Sequence, residues 1–599
     1  MTTSPHTQST RRAVVTGATG FVGLWLVAEL TRLGVPVVAL VRSPERRRTT
    51  LQADVSRLGG RGSLVDTAPL DLDAADLGLD DKGLSALRSA TEVYHLAARF
   101  GFGLERDVAH QANVTAAVQL VATVAGSAHL TRFVHISGYR TRGTEGRALD
   151  VDNPAALDAF YQSHGAYEAS KLEAHQRVAT AAADHGVPLT RVSPAMVIGD
   201  SRTGETTQLT GLADVLQKLW DGQLPALVGS VDTWIPVVAV DILAALLARL
   251  PTDPTSEGDH ILVLDDRTPS LLQVVQRAAT RMGRSAPRLT LPVPVVRALP
   301  EALSGVHPEA LSFVSADRYD TAPLRATLRR LGIEMPDVVG VIDRWVDHLV
   351  DTRFGARAPS GGRTEAVGGT RVWLRGTRNA PENVFLHGVL LDGDSWGPVR
   401  SAMSTPALVP DLPGLGLSAP GGGSPEAWMT SLLAPAARPV TLVGHSLGTA
   451  FALAYAAAHP QRVARLVLVS PFFLQAPASW ALRQPALFGP VVSVMPRASL
   501  AEQVGGPHPV LDHILPVAQR FSVARRHAGW LAWASSEAVR AQLTAFLDQT
   551  TLPVDIVVGE HDPLRSSTRH PVTVIPGTGH YPQLTHPEAV AAVVSPAPR

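Results

Sequence analysis

Residues Val14–Gly23 read Val-Val-Thr-Gly-Ala-Thr-Gly-Phe-Val-Gly, and the first half of the chain is decided by this stretch. Two β-branched apolar residues close a short buried strand, and glycines follow at Gly17, Gly20 and Gly23. A helical run, Leu24–Leu33, begins at once. The first two glycines let the backbone turn tightly and approach a pyrophosphate, and the third lets helix and strand pack closely. The open N–H groups and positive dipole end of that helix face the phosphates. An ordinary tight strand-to-helix turn is the plainer alternative, and the surrounding chain decides between the two.

Downstream, Val37–Val41 reads as a second strand ending at Arg42-Ser43. In a dinucleotide fold this strand end faces the adenosine ribose, where an acidic residue binds the 2′-hydroxyl and an arginine suits a 2′-phosphate. Arg42 therefore favours NADP, with NAD as the alternative; its plainer role is as a solvated member of the charged run Arg42–Arg48. Ala68–Leu70 leads into Asp71-Leu72, and the strand Glu92–Leu96 ends in Ala97-Ala98, small enough for the backbone to lie against a cofactor. Asn113 is expected to open a helix over Val114–Ala125, and Phe133–Ile136 is the next strand, ending at Ser137-Gly138-Tyr139. Such alternation of buried strand and helix predicts a parallel, doubly wound α/β sheet.

Tyr167 and Lys171 lie four residues apart, hence one helical turn apart on one face. An ammonium beside a phenol is expected to lower the phenol pKa from about 10 toward neutrality, making a usable general acid. The chain has only three lysines, Lys82, Lys171 and Lys218, so one held at this spacing carries weight.

Together these residues resemble the extended short-chain dehydrogenase/reductase family, over roughly residues 10–350. The resemblance implies that Thr16–Gly23, with Gly17, Thr19, Gly20, Phe21, Val22 and Gly23, binds pyrophosphate. It makes Tyr167 the acid/base and Lys171 the ribose-holding residue. It places Asp71-Leu72 at the adenine and makes Asn113 structural. Asp76–Leu79, Tyr94–Ala98 and Arg191–Gly204 look closest to members that reduce ketones or acyl thioesters. Many relatives carry two adjacent hydroxyl residues where this chain has Ser137-Gly138. Ser137 is expected to take the catalytic role, with Thr141 or a water as alternatives.

The chain has 599 residues, which calls for at least two domains. Hydrophobic content of 45%, charged content of 18% and a formal net charge of zero describe a globular protein with no basic stripe for nucleic acid. No apolar run reaches the roughly 18–20 residues needed to span a bilayer, and the start lacks an apolar signal core. With no cysteine there is no disulfide, thiolate metal site or cysteine nucleophile. The cytoplasm is the expected compartment, small molecules the expected partners, no metal is expected, and a homo-oligomer is allowed.

Asp351–Thr370 is rich in Arg, Gly, Ala, Ser and Thr and reads as a linker. Beyond it, Thr441–Val443 is an apolar strand running into Gly444-His445-Ser446-Leu447-Gly448, and a small-residue helix continues to Ala457. This is the context of a nucleophile elbow. A serine hydroxyl is a weak nucleophile, so a base and an orienting acid must follow. Val554–Val558 precedes Gly559-Glu560-His561-Asp562, and Val572–Ile575 precedes Gly577-Thr578-Gly579-His580. Asp562 and His580 fit the order; Glu560 and His561 compete for the first role and His586 for the second. Val384–Leu386 runs into His387-Gly388-Val389, and the N–H groups of Val389 and Leu447 suit an oxyanion hole. Residues 371–599 resemble the α/β-hydrolase superfamily, whose members insert a cap where this chain has residues 471–552, with Phe472, Phe473, Trp480, Trp530 and Trp533. Those aromatics suit an acyl or other hydrophobic substrate, or else form the cap's own core.

The expected whole is bifunctional: an NADPH-dependent reductase of a carbonyl or acyl thioester, fused to a serine hydrolase acting on an ester, thioester or lactone. A nucleotide-sugar epimerase or dehydratase in front, or a cofactor-sensing scaffold attached to an active esterase, are the alternatives.

Overall fold

β1 (Ala13–Thr16) is buried at every residue, and its side chains alternate between two cores. Ala13 and Val15 pack with Leu26, Val27 and Leu30 of the helix Phe21–Arg32. Val14 packs on the other face with Leu87 and Leu120. This is the two-residue period of a strand covered on both sides. β2 (Val37–Val41) repeats it, with Ala39 in the first core and Leu40 in the second. The remaining strands of this region are β3 (Val65–Pro69), β4 (Glu92–His95), β5 (Arg132–Ile136), β6 (Leu189–Pro194), β7 (Met196–Ile198), β8 (Ala226–Val228), β9 (Val237–Ala239), β10 (His260–Val263) and β11 (Leu289–Leu291).

Seven of them form one parallel sheet in the order β10-β6-β5-β4-β1-β2-β3. Strand order reverses between β1 and β4, so the loops leaving these strands open a crevice at their C-terminal ends, where such sheets bind ligands. The computed structural model describes residues 11–141, 149–421, 423–475, 484–503 and 506–595.

β6 ends at Pro194 in the large sheet, and β7 pairs with β9 in a separate two-stranded sheet. One local expectation changes. Asn113 does not open a helix. It sits within a π-type turn, Gln111–Thr115, between the helices Arg106–His110 and Ala116–Val124. Its side chain instead ties the following chain in place, as described below.

The chain divides into two compact units, Met1–Thr280 with Arg284–Leu349, and Arg281–Gly283 with Val350–Arg599. The stretch expected as a linker, Asp351–Thr370, contains β12 (Arg363–Val367), which forms a hairpin with β13 (Thr370–Gly376). The connecting Gly368-Gly369 has φ of 56° and 75°, the pair of positive values a tight two-residue hairpin turn demands. The other strands of this unit are β14 (Asn383–Leu386), β15 (Ala407–Pro410), β16 (Val440–His445), β17 (Val463–Val469), β18 (Val554–Gly559) and β19 (Val572–Ile575). The sheet runs β12-β13-β15-β14-β16-β17-β18-β19, antiparallel at β12/β13 and β13/β15 and parallel elsewhere. Leu442, Leu466 and Leu468 point to one core, and Val443, Val467 and Val469 to the other. Helices between β17 and β18 enclose their own core around Phe488, Ile514 and Leu515. Phe472, Trp530 and Trp533 pack against the main sheet's core, and Trp480 lies outside the described residues.

Candidate active sites

The glycine loop after β1 is packed against protein on one side and bare on the other. Gly17 has φ +71°, and a Cβ there would lie 2.8 Å from Ala97 N; at Gly23 it would lie 2.1 Å from Gly17 O. At Gly20 only Gly17 O comes within reach, at 3.3 Å, and both Thr19 and Gly20 are exposed. The helix Phe21–Arg32 starts there, so the first-turn N–H groups of Phe21, Val22 and Gly23 have no intrahelical acceptor. Thr16 Oγ1 accepts from Leu96 N and Ala97 N, both at 3.1 Å. It therefore donates to His95 Nδ1 at 2.9 Å, which pins the Ala97-Ala98 backbone beside the loop. Arg42 is exposed at the end of β2. Asp71 accepts from Asp73 N at 3.1 Å and donates its own N–H to Leu77 O at 2.8 Å, which fixes the turn carrying Leu72. These residues fit a dinucleotide: a cradle free of Cβ atoms, a helix N-terminus, and an exposed arginine at the end of β2.

Tyr167 and Lys171 rise one turn apart from the helix Ala166–Asp184, half-buried, and line one pocket with Gly138, Tyr139, Arg140 and Phe313. The Phe100 ring meets Tyr167 edge-on at 4.8 Å. Burial, and then the Glu168 carboxylate, push the phenol up to about 12. Burial pushes the Lys171 ammonium down to about 8. The expected lowering of the phenol by Lys171 is therefore not found, because burial and Glu168 act in the opposite direction. At neutral pH the phenol is protonated, as a proton donor must be. Ser137, 5% exposed, donates to the Lys171 carbonyl at 3.4 Å and so touches the same helix. Asn113 Oδ1 accepts from Arg99 N at 2.7 Å, and its Nδ2 donates to Arg99 O at 3.2 Å and to Ser170 Oγ at 2.9 Å.

In the second unit Ser446 sits between β16 and the helix Leu447–Ala458 with φ +47° and ψ −111°, a strained conformation for a residue with a Cβ. The turn is forced by its neighbours. A Cβ on Gly444 would lie 2.7 Å from the Gly448 carbonyl, and one on Gly448 would lie 2.2 Å from Leu386 O. His580 Nδ1 stands 2.6 Å from Asp562 Oδ2. Its carbonyl accepts from His445 Nε2 at 2.8 Å, so the ring bearing the Asp562 contact is anchored to the residue preceding Ser446. With Nδ1 donating to the carboxylate, Nε2 is left as an acceptor for a serine proton. Among the described residues no hydrogen bond joins Ser446 to His580; such contacts often tighten only around substrate. Of the competitors, Glu560 is exposed and accepts from Gly577 N at 2.9 Å, His561 is exposed, and His586 contacts Thr585 Oγ1 at 3.1 Å.

Val389 follows a glycine that abuts the same spot: a Cβ on Gly388 would lie 2.6 Å from His445 Nδ1 and 3.2 Å from Ser446 Cβ. His387 Nε2 accepts from Leu412 N at 2.9 Å, so its Nδ1 carries the proton and donates to Gly388 O at 2.8 Å. Leu447 opens the helix directly after Ser446, and Val389 follows the glycine that abuts it.

Residues 15–247 match the family model of the male sterility protein, an NAD-binding family, and residues 384–593 match that of the alpha/beta hydrolase family. Dihydroflavonol 4-reductase of Zea mays is 29% identical over 270 residues, 43% of this chain and 70% of the reductase. Pimeloyl-[acyl-carrier protein] methyl ester esterase of Aromatoleum aromaticum is 30% identical over 247 residues, 36% of this chain and 97% of the esterase. Through its second half the chain belongs to the α/β-hydrolase family. In front of that α/β-hydrolase stands a reductase-type NAD-binding domain, so the protein joins an oxidoreductase to a hydrolase.

One residue in the α/β-hydrolase site carried no sequence signal. Gln475 Nε2 donates to Asp562 Oδ2, the same oxygen that faces His580, and to Asp562 O at 3.3 Å. It follows β17 and reaches a partner 87 positions away, with no motif around it. Among the described residues no group of three metal-ligating side chains occurs, and no helix is long and apolar enough to cross a membrane.

Proposed function

We propose that the front domain is an NADPH-dependent reductase of a ketone or acyl thioester, and that the second is a serine hydrolase of an ester, thioester or lactone. The reductase reading is carried by Tyr167 and Lys171 lining one pocket at the C-terminal edge of the parallel sheet. A nicotinamide dinucleotide, when bound, would supply the hydride. Tyr167 Oη gives its proton to the carbonyl oxygen as the C=O double bond becomes a C–O single bond. Lys171 would hold the ribose, and the glycine loop with its helix N-terminus would hold the pyrophosphate. Arg42 supports NADPH over NADH, since a guanidinium pairs with a 2′-phosphate in fork geometry. Ser137 positions the Lys171 turn through its hydrogen bond to the carbonyl there.

The hydrolase reading is carried by the 2.6 Å Asp562–His580 pair beside the strained Ser446. His580 Nε2 takes the Ser446 proton as Oγ attacks the acyl carbon, and Asp562 stabilises the imidazolium that forms. The N–H groups of Val389 and Leu447 bind the oxyanion. His580 then protonates the leaving group, and a water activated by the same imidazole releases the acid from acyl-Ser446. Likeness to a dihydroflavonol 4-reductase supports a ketone for the first step, and likeness to a methyl ester esterase supports an ester for the second.

The test offers the protein NADPH with a panel of ketones and thioesters, and separately p-nitrophenyl esters. Absorbance loss at the nicotinamide band and acid release are followed for wild type, Tyr167→Phe, Ser446→Ala and Arg42→Glu. Tyr167→Phe should abolish NADPH oxidation alone, Ser446→Ala acid release alone, and Arg42→Glu should shift preference toward NADH. Acid release undiminished in Ser446→Ala overturns the hydrolase reading.

A further inference from the structure

His527 lies on the helix Phe521–Ala534, one of those between β17 and β18, and is fully buried. Its Nδ1 accepts from Leu390 N at 3.1 Å. Nε2 then carries the proton, and among the described residues it has no hydrogen-bond partner. Burial above all pushes the imidazole down to about 3, so it stays neutral and Nδ1 stays an acceptor. The surroundings are apolar: Ala524 and Ala528 of the same helix share a core with Leu390, Ile514 and Leu515. A leucine would fill the place without burying a bare N–H, so the histidine is kept for what Nδ1 holds.

What it holds is the chain that carries Val389. In a trans peptide the N–H points away from the carbonyl. Gly388 O accepts from His387 Nδ1 at 2.8 Å, so the Val389 N–H of the same peptide points away from His387. The next peptide is anchored separately, where its N–H, that of Leu390, meets His527. Val389 thus stands between two pinned peptide planes. Leu390 itself has φ +65°, a left-handed conformation that is costly for a residue with a Cβ. Removing the acceptor frees Leu390 to return to negative φ, which swings the Val389–Leu390 peptide and Val389 with it.

We infer that His527 is a positioning residue of the hydrolase site: reaching from the helix Phe521–Ala534, it fixes Leu390 N and so keeps the Val389 N–H aimed at the oxyanion that forms when Ser446 attacks. The inference rests on the hydrolase reading above. His527 exchanges no proton; its effect reaches the reaction through the direction of one N–H. The negative oxygen exists only once Oγ has begun to bond to the carbonyl carbon. A misaimed donor therefore weakens the transition state far more than the bound ester.

The test uses the full-length protein as wild type, His527→Leu and His527→Asn, whose Oδ1 falls where Nδ1 stands in histidine, with thermal unfolding as a control. Turnover of p-nitrophenyl butyrate is measured together with inhibition by hexyl trifluoromethyl ketone. Ser446 Oγ adds to that ketone's carbonyl carbon, the carbonyl oxygen becomes the oxyanion, and the serine proton passes to His580. Expected in His527→Leu is a fall in kcat of roughly 10- to 100-fold with KM within about twofold, and a Ki for the ketone weakened by a comparable factor. His527→Asn should keep kcat and Ki within about threefold of wild type, since an oxygen replaces the lost acceptor. If His527→Leu does not fold, His527→Gln, whose oxygen lies one bond further along, must show the same joint loss. An unchanged kcat, a fall in kcat without weaker inhibition, a change confined to KM, or an asparagine variant as impaired as the leucine one overturns the inference and leaves the hydrolase reading standing. A Ser446→Ala protein that still releases acid at the wild-type rate overturns that reading itself.

Discussion

Replacing Asp562 by asparagine removes one charge and leaves the shape of the hydrolase site almost unchanged. Two donors converge on Asp562 Oδ2, His580 Nδ1 at 2.6 Å and Gln475 Nε2. Only an amide oxygen accepts from both, so the asparagine is held with its oxygen toward His580 and its NH₂ turned away. The His580 tautomer with Nδ1 protonated therefore survives. What disappears is the carboxylate opposite the imidazolium that forms when Ser446 attacks. Two unit charges about 4 Å apart at an effective dielectric constant of about 20 interact by ~4 kcal/mol. That corresponds to a fall in kcat of roughly a thousandfold, with KM changed little. Combining Asp562→Asn with Gln475→Leu removes the group that orients the amide. Its NH₂ is then free to face Nδ1 and impose the wrong tautomer, which costs about tenfold more. The assay is steady-state release of p-nitrophenol from short-chain esters, with thermal unfolding run alongside to exclude misfolding. An Asp562→Asn enzyme that keeps more than about a tenth of wild-type kcat would refute the reasoning. So would a double variant indistinguishable from the single one.

Three further outcomes follow from other parts of the chain. Burial lowers the folded-state pKa of Lys171 from 10.5 to about 8, so between those values the unfolded chain binds more protons and this group makes stability rise with pH. Unfolding scans at pH 7.5 and 9.5 should show that rise in wild type and its loss in Lys171→Met. Gly448→Ala places a Cβ 2.2 Å from Leu386 O, a backbone atom that cannot step aside. The strand-to-helix turn should shift, destabilising the hydrolase unit by about 1–3 kcal/mol and abolishing acid release, read by denaturant titration and the ester assay. Arg375 is 2% exposed, 2.7 Å from Asp394 and 3.4 Å from Asp411. Arg375→Met leaves buried Asp411 without its arginine and Asp394 held only by Arg353 and Arg357, and should cost about 3–5 kcal/mol, seen as a lower denaturant midpoint.

Both nucleotide and nucleophile loops are legible in the sequence because their constraints are close at hand. At Gly23 a Cβ would collide with Gly17 O, six residues back, and at Gly444 with Gly448, four residues on. Glycine is the residue that permits such contacts, and its spacing records them. The stretch Asp351–Thr370 is harder to read. β12 is Arg-Thr-Glu-Ala-Val with only its last residue buried, so its composition resembles a loop, although Gly368-Gly369 marks the hairpin. Tyr167 illustrates a different limit. A four-residue spacing locates its ammonium neighbour, but its proton affinity depends on burial beneath several elements, and on Glu168, whose carboxylate is shared with Arg140 and Ser312. Gln475 and Arg140 share that limit, since each works through partners distant in sequence, where no fixed spacing can record the contact. The residues that shape the two loops are thus local and readable, whereas those that tune proton affinity are held by packing. Gln475 against Asp562, and Glu168 between Arg140 and Ser312, are of this second kind.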